Sequence, residues 1–178
     1  MDKRQKLIFK IMTLIFLIAS VLIIVLFTGK TGEESNELSR WVAKKIENFV
    51  GSHFTIRRED VFWRSTLNAI LRKLGHFLEF AFLGLTMGAF FILILRKKWV
   101  SALLSLGLCC LMALLDEYRQ IFISGRTPQW FDVKLDIMGS LFGILLVFTV
   151  WSIYSRLMIY KKRVNEMEQI IKNHHLEE

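Results

Sequence analysis

The chain has 178 residues, enough for one domain, yet 53% are hydrophobic and the mean hydropathy is +0.42, which excludes an ordinary small soluble globule. Its net charge is +8, and no nucleic-acid-binding motif accompanies that charge. The excess of Lys and Arg therefore points to membrane topology and anionic lipid headgroups, not to nucleic acid.

The first element is a run of nineteen uncharged residues, Ile11 to Gly29. That is the length a helix needs to cross about 30 Å of hydrocarbon. Lys3, Arg4 and Lys6 precede it as they would a signal peptide, but the run is long for such a segment and Phe27-Thr28-Gly29-Lys30 lacks a small-x-small cleavage pattern. An uncleaved anchor over about 7–29 is expected.

Leu38, Trp41, Val42, Ile46, Phe49 and Val50 then recur at helical spacing, with Arg40, Lys44, Lys45 and Glu47 elsewhere on the wheel. This predicts an amphipathic interfacial helix over about 36–50, capped by Ser35 or Asn36. After a turn near Gly51, Trp63, Leu67, Ile70, Leu71 and Leu74 predict a second interfacial helix over about 60–73 that leads into the next crossing.

Further uncharged runs lie at Phe80 to Leu95, Trp99 to Leu115 and Ile137 to Ser155. The first two have only sixteen and seventeen residues, short of a full crossing at about 1.5 Å per residue. Their polar flanks must help to span. The predicted crossings are therefore about 74–95, 99–118 and 132–155, and Lys73, His76, Glu79, Asp116, Glu117 and Gln120 are drawn toward the bilayer. Cys109 and Cys110 are adjacent within the third crossing and read as small core residues without a disulfide.

The fold expected is all-α: a single domain over 1–178, an integral-membrane four-helix bundle with an amphipathic helical segment between its first two crossings. Basic residues gather in the N-terminal tail, at Arg96-Lys97-Lys98 and in the tail over 156–178, which places all three, and both termini, in the cytoplasm. Lys30 to Arg72 and Asp116 to Lys134 then face outward. The first of these segments is itself basic, with nine Lys and Arg through Lys73 against six acids.

The chemistry is densest where the third and fourth crossings join. Asp116 and Gln120 share a helix face, Ser124-Gly125-Arg126 turns the chain, and Thr127-Pro128 has the form of an N-cap followed by a first-turn proline. Asp132, Asp136, Gly139 and Gly143 follow at i, i+4, i+7 and i+11, one stripe that is acidic at one end and small at the other. Gly139-xxx-Gly143 lets a neighbouring backbone approach, and Gly84-xxx-Gly88 offers a matching surface. Ser101, Ser105, Cys109, Asp116 and Gln120 form a similar line on the third crossing. Three helices are thus expected to pack tightly beside a shared polar layer.

Lys73, His76, Asp116, Glu117, Gln120, Arg126, Asp132 and Asp136 are the residues placed in that layer. Ionisable groups in a membrane must pair, line wet cavities or perform a function. One arrangement is an ion-pair network, Lys73 and Arg126 against the carboxylates, that fixes helix registry. The other is a site in which His76 carries a proton beside the carboxylates. A metal bound by His76, Glu79 and Asp116 lacks HxxxH or CxxC spacing, so neither metal nor cofactor is expected. No GxSxG elbow supports a serine hydrolase. A transporter is disfavoured because Met87 to Leu95 and the corresponding half of the fourth crossing are almost wholly apolar.

Lys73, His76, Phe77, Glu79, Phe80, Leu83 and Gly84, then Asp116-Glu117-xx-Gln120-x-Phe122-xx-Gly125-Arg126, then Asp132-xxx-Asp136-xx-Gly139-xxx-Gly143, together resemble the VanZ-like membrane proteins of bacteria. Thr31-Gly32-Glu33-Glu34-Ser35-xxx-Ser39 is similar to that family's serine-containing outer segment, and the departure is Asp136, where the family commonly has Asn. The resemblance implies a protein of the bacterial cytoplasmic membrane, in a family whose named member lowers sensitivity to teicoplanin and related lipoglycopeptides. The family does not make the mechanism clear; the expectation drawn from the residues is a polar layer that faces the outer leaflet, has membrane lipids as partners, and binds or acts on a lipid-linked wall precursor or a lipoglycopeptide in its lipid-anchored complex. On that expectation His76 with Asp116 or Glu117 moves a proton, Asp132 orients Arg126 or His76, and Arg126 clamps a phosphate or carboxylate. Lys73, Gln120 and Asp136 are then the remaining ligand-binding candidates. A noncatalytic binding or scaffold protein would need the same arginine but no proton transfer.

Overall fold

A computed structural model describes residues 3–29, 32–51, 61–95, 97–126 and 128–174. It contains α1 (Lys3–Thr28), α2 (Gly32–Gly51), α3 (Val61–Leu95), α4 (Lys98–Gln120) and α5 (Trp130–His174), with no strand among the described residues. All but α2 are long and apolar enough to cross a membrane.

The expected anchor is α1. Most of its large side chains, Leu7 and Ile15 among them, remain exposed, because hydrocarbon accepts leucine as readily as a protein core does. Among its described side chains only Ser20 and Ile24 are buried. Ser20 Oγ donates to the Leu17 carbonyl at 2.8 Å and lies 3.1 Å from Thr86 Oγ1, which joins α1 to α3 by a paired hydroxyl contact.

The segment expected as an interfacial helix over about 60–73 and the crossing expected over about 74–95 form one continuous helix, α3. Lacking a proline or glycine break between Thr66 and Leu74, the backbone has no reason to stop. At the other end of the chain α5 runs on through the segment read as a tail and ends at His174. Lys98 Nζ donates to Ser152 Oγ at 3.3 Å, so Ser152 stands level with the start of α4. From Trp130 to Ser152, about 1.5 Å per residue gives roughly 33 Å, one membrane thickness.

Helix α2 begins at Gly32, earlier than expected, so Ser35 and Asn36 lie inside it rather than capping it. It presents Ser39 and Ala43, four residues apart, to the bundle and leaves Leu38, Trp41 and Ile46 exposed. Small residues give the closer approach, and the apolar ones stay available to the lipid interface. Thr127 and the turn after Gly51 lie outside the described residues, and Pro128 precedes α5, whose first backbone bond links Asp132 N–H to the Gln129 carbonyl at 2.8 Å.

Helix α3 contacts each of the other four. Against α4, Ser101 Oγ donates to the Phe91 carbonyl at 3.1 Å and Cys109 meets Met87, while the small and polar line Ser101, Ser105, Cys109, Asp116 and Gln120 is buried throughout. Both cysteines are free thiols. Against α5 the backbones themselves touch. A Cβ on Gly84 would overlap the Ser140 carbonyl, one on Gly139 the Phe77 carbonyl, and one on Gly143 the Ala81 carbonyl. The glycines therefore rest on the backbone carbonyls of Ser140, Phe77 and Ala81 instead of stacking glycine on glycine.

Gly143→Ala is expected to cost about 1–3 kcal/mol, the usual scale of overpacking in a tight core. Thermal unfolding in detergent should show a lowered midpoint for Gly143→Ala and no loss for Gly107→Ala, whose Cβ would meet nothing within 4 Å.

Candidate functional site

Three helices and one turn bring the polar residues together. Arg72, His76 and Glu79 follow one another by four and three residues on α3 and so occupy one face. Asp116, Glu117 and Gln120 end α4, and Asp132 and Asp136 begin α5. All five α4 and α5 side chains are buried. The turn between these helices closes through the bonds Phe122 N–H to Arg119 O and Arg126 N–H to Ile123 O, at 3.0 and 3.3 Å. Gly125 takes φ 76°, a left-handed conformation that disfavours other residues.

Gln120 is the internal bridge: its Nε2 donates to Asp116 Oδ2 and to Glu117 Oε2, each at 3.2 Å. The other Glu117 oxygen, Oε1, accepts the backbone N–H of Gln129. One carboxylate thereby ties the last turn of α4 to the entry of α5. Asp136 differs. Its side chain has no exposed surface, neither oxygen accepts a hydrogen bond from the described residues, and His76 Nδ1 stands 3.7 Å from Oδ1, beyond hydrogen-bond reach. His76, Asp116 and Asp136 each place one potential ligand atom within 4.8 Å of the other two. Asp132 is buried beside them, with Oδ1 accepting no hydrogen bond.

The two expected cations are deployed differently from the ion-pair network. Lys73 Nζ lies 4.0 Å above the centroid of the Phe131 ring, a cation-π contact. Arg126 donates to the Phe27 carbonyl at 3.3 Å, and Arg119 to the Val25 carbonyl at 3.4 Å, which also accepts the Gly29 N–H at 3.2 Å, so two arginines reach the last turn of α1. Partial burial pulls the Arg126 guanidinium below its ordinary pKa, opposed first by the Asp116 carboxylate and further by Glu79 and Glu117.

Beside this layer, between the end of α1, α2 and the first half of α3, lies a cavity of about 300 Å³. Its polar lining is Ser39, Arg72, His76, Glu79 and Arg126, and the rest of the wall includes Phe27, Leu38, Val42 and Leu71.

A model of the VanZ/LLP1 family matches residues 13–152. The chain belongs to that family. The match runs from within α1 to the level of Ser152, and so takes in all the layer's residues. No curated protein and no solved structure matches this VanZ/LLP1 chain.

The structure thus joins His76, Asp116 and Asp136, keeps Glu117 with Gln120, sets Asp132 nearby, turns Arg126 toward α1 and the cavity, and seats Lys73 on Phe131. The candidates drawn from the sequence omitted Arg72 and Ser39. Arg72 was accessible, since it lies one turn before His76 on the same face; Ser39 faces the cavity only because α2 folds back on α3, which spacing does not reveal.

Gln120→Leu removes donors from two buried carboxylates, and hydrogen bonds to charged groups are worth about 1.5–3 kcal/mol each. The variant should unfold at a lower temperature in detergent. Asp116→Asn should cost less in the Gln120→Leu background than alone, since the two share one interaction; equal costs in both backgrounds would show that the bridge carries no coupling.

Proposed function

We propose that this VanZ/LLP1 protein binds a phosphate-bearing, lipid-linked component of the bacterial cell envelope at the outer leaflet, and by doing so lowers sensitivity to teicoplanin-type lipoglycopeptides. The cavity carries the proposal. Two arginines and a histidine share it with an apolar wall, the combination that an anionic headgroup on a hydrocarbon chain requires. Arg126, from the turn, and Arg72, from α3, approach the same space from different elements and suit the planar, forked recognition of phosphate. The exposed Leu38, Trp41 and Ile46 of α2 lie in the adjacent interface, where a lipid would enter.

His76, Asp116 and Asp136 bring their polar atoms together at the wall of this site, with Asp132 buried beside them. Orientation follows from the basic clusters: Arg96-Lys97-Lys98 and the Arg156 to Arg163 region stay cytoplasmic, which puts the cavity on the outer side.

Loss of one charge-assisted contact of about 1.5–3 kcal/mol corresponds to roughly a ten- to hundredfold loss of affinity. Arg126→Ala and Arg72→Ala, expressed at wild-type levels, should therefore each weaken binding of undecaprenyl phosphate to the purified protein at least tenfold and return cells to the teicoplanin sensitivity of a strain lacking the protein. Wild-type affinity and wild-type sensitivity in both variants would remove the proposal. His76→Gln separates binding from any step beyond it: loss of resistance with retained lipid binding assigns the His76 layer a role besides holding the lipid, and retained resistance leaves binding alone.

Topology has its own measurement. In a Cys109→Ala/Cys110→Ala background, Lys45→Cys should react with a membrane-impermeant maleimide added to intact cells and Lys172→Cys should react only after lysis. The reverse pattern would place the cavity on the cytoplasmic face.

A further inference from the structure

We propose that His76, Asp116 and Asp136 bind one divalent transition-metal ion, of the Zn²⁺ or Mn²⁺ type, at the junction of α3, α4 and α5. One imidazole nitrogen and two carboxylate oxygens come from three different helices, all within 4.8 Å of one another. Ligand atoms on a tetrahedral ion with bonds of about 2.0–2.2 Å sit roughly 3.4 Å apart, so side-chain shifts of about 1 Å close the shell.

Asp136 distinguishes this trio from an ordinary acidic cluster. Its side chain is 0% exposed and both carboxylate oxygens lack a hydrogen-bond donor. A buried carboxylate in that condition needs a cation or a proton. His76 Nδ1 likewise has no hydrogen-bond partner, and at 3.7 Å from Asp136 Oδ1 it is too distant to donate but close to the separation of two atoms on one metal. Two carboxylates and a neutral imidazole balance a dication without residual charge. Asp116 Oδ2 is in turn held by Gln120 Nε2, the kind of outer hydrogen bond that fixes a ligating carboxylate. His76 also lines the cavity, which supplies an entry path.

The ion goes beyond the lipid proposal and is measured without any lipid ligand. The full chain, purified in detergent and stripped with chelator, is titrated calorimetrically with Zn²⁺ alone and with Mn²⁺ alone. His174 and His175 are adjacent in sequence, a pairing able to take up Zn²⁺ adventitiously, so the parent for the test carries His174→Ala and His175→Ala. That parent is expected to bind one ion per chain and to unfold at a higher temperature when loaded. Asp136→Asn and His76→Gln in this background should each weaken binding at least tenfold and abolish the thermal shift, with helix content by circular dichroism unchanged; either variant suffices if the other does not fold. Binding that disappears with the tail histidines, or variants that bind as tightly as the parent, overturn the site. The undecaprenyl phosphate measurement on the same parent is independent, so a protein that holds the metal and not the lipid phosphate retains this proposal while losing the other.

Discussion

Between Gly84 and Gly143 the backbones of α3 and α5 meet with no side chain between them. Two lipid-immersed helices gain little from hydrophobic association, so close packing and the polar contacts it permits must hold them. The seam supplies the first and fixes the second. Gly139 rests on the Phe77 carbonyl, and Phe77 is the neighbour of His76; Ser140 rests on Gly84, and Asp136 is one turn before Ser140. Register along the seam therefore sets the distance from His76 to Asp136. A slip of one residue would turn Asp136 by about 100° and away from the imidazole.

Helix α4 joins the seam through hydroxyls and a thiol rather than glycine. Ser101, Ser105 and Cys109 are fully buried and small, and they allow the lower part of α4 to lie close enough to α3 for its last turn to deliver Asp116. Glu117 then reaches across to the Gln129 N–H, so the turn between α4 and α5 is clamped at the level of the charged layer. The outcome is an uneven distribution of satisfaction. Asp116 and Glu117 share Gln120, whereas Asp136, fully buried, accepts no hydrogen bond from the described residues. In a low-dielectric interior this asymmetry concentrates the chemical demand at one carboxylate and the histidine beside it.

Much of this was legible in the sequence because membrane helices obey two strong constraints, length and periodicity. Nineteen uncharged residues announced α1, and the short second and third apolar runs implied that charged flanks enter the bilayer. The stripe of Asp132, Asp136, Gly139 and Gly143 placed acid and seam on the same face of α5 before any coordinates. Other features were not legible. The continuity of α3 was hidden because a polar face interrupts the apolar run, although nothing in the backbone breaks the helix. The further contacts of the cations were hidden too: beside the carboxylates, the ring of Phe131 competes for Lys73 and the Phe27 carbonyl for Arg126. Such competition is decided by which acceptor tertiary packing brings nearer, and spacing along one helix carries no such information.

The same limit applies to the trio of ligand atoms. Sequence rules for metal sites rely on two ligands a few residues apart, because one turn of backbone then does most of the positioning. Here His76, Asp116 and Asp136 are separated by 40 and 20 residues, and each helix contributes a single atom. Their convergence depends wholly on the α3–α5 seam and the small face of α4. That makes packing and chemistry inseparable: a substitution at Gly139 or Gly143 acts first on helix spacing, yet its consequence falls at His76 and Asp136. Asp136, which packing keeps from water, is in this way positioned by contacts that contain no charge at all.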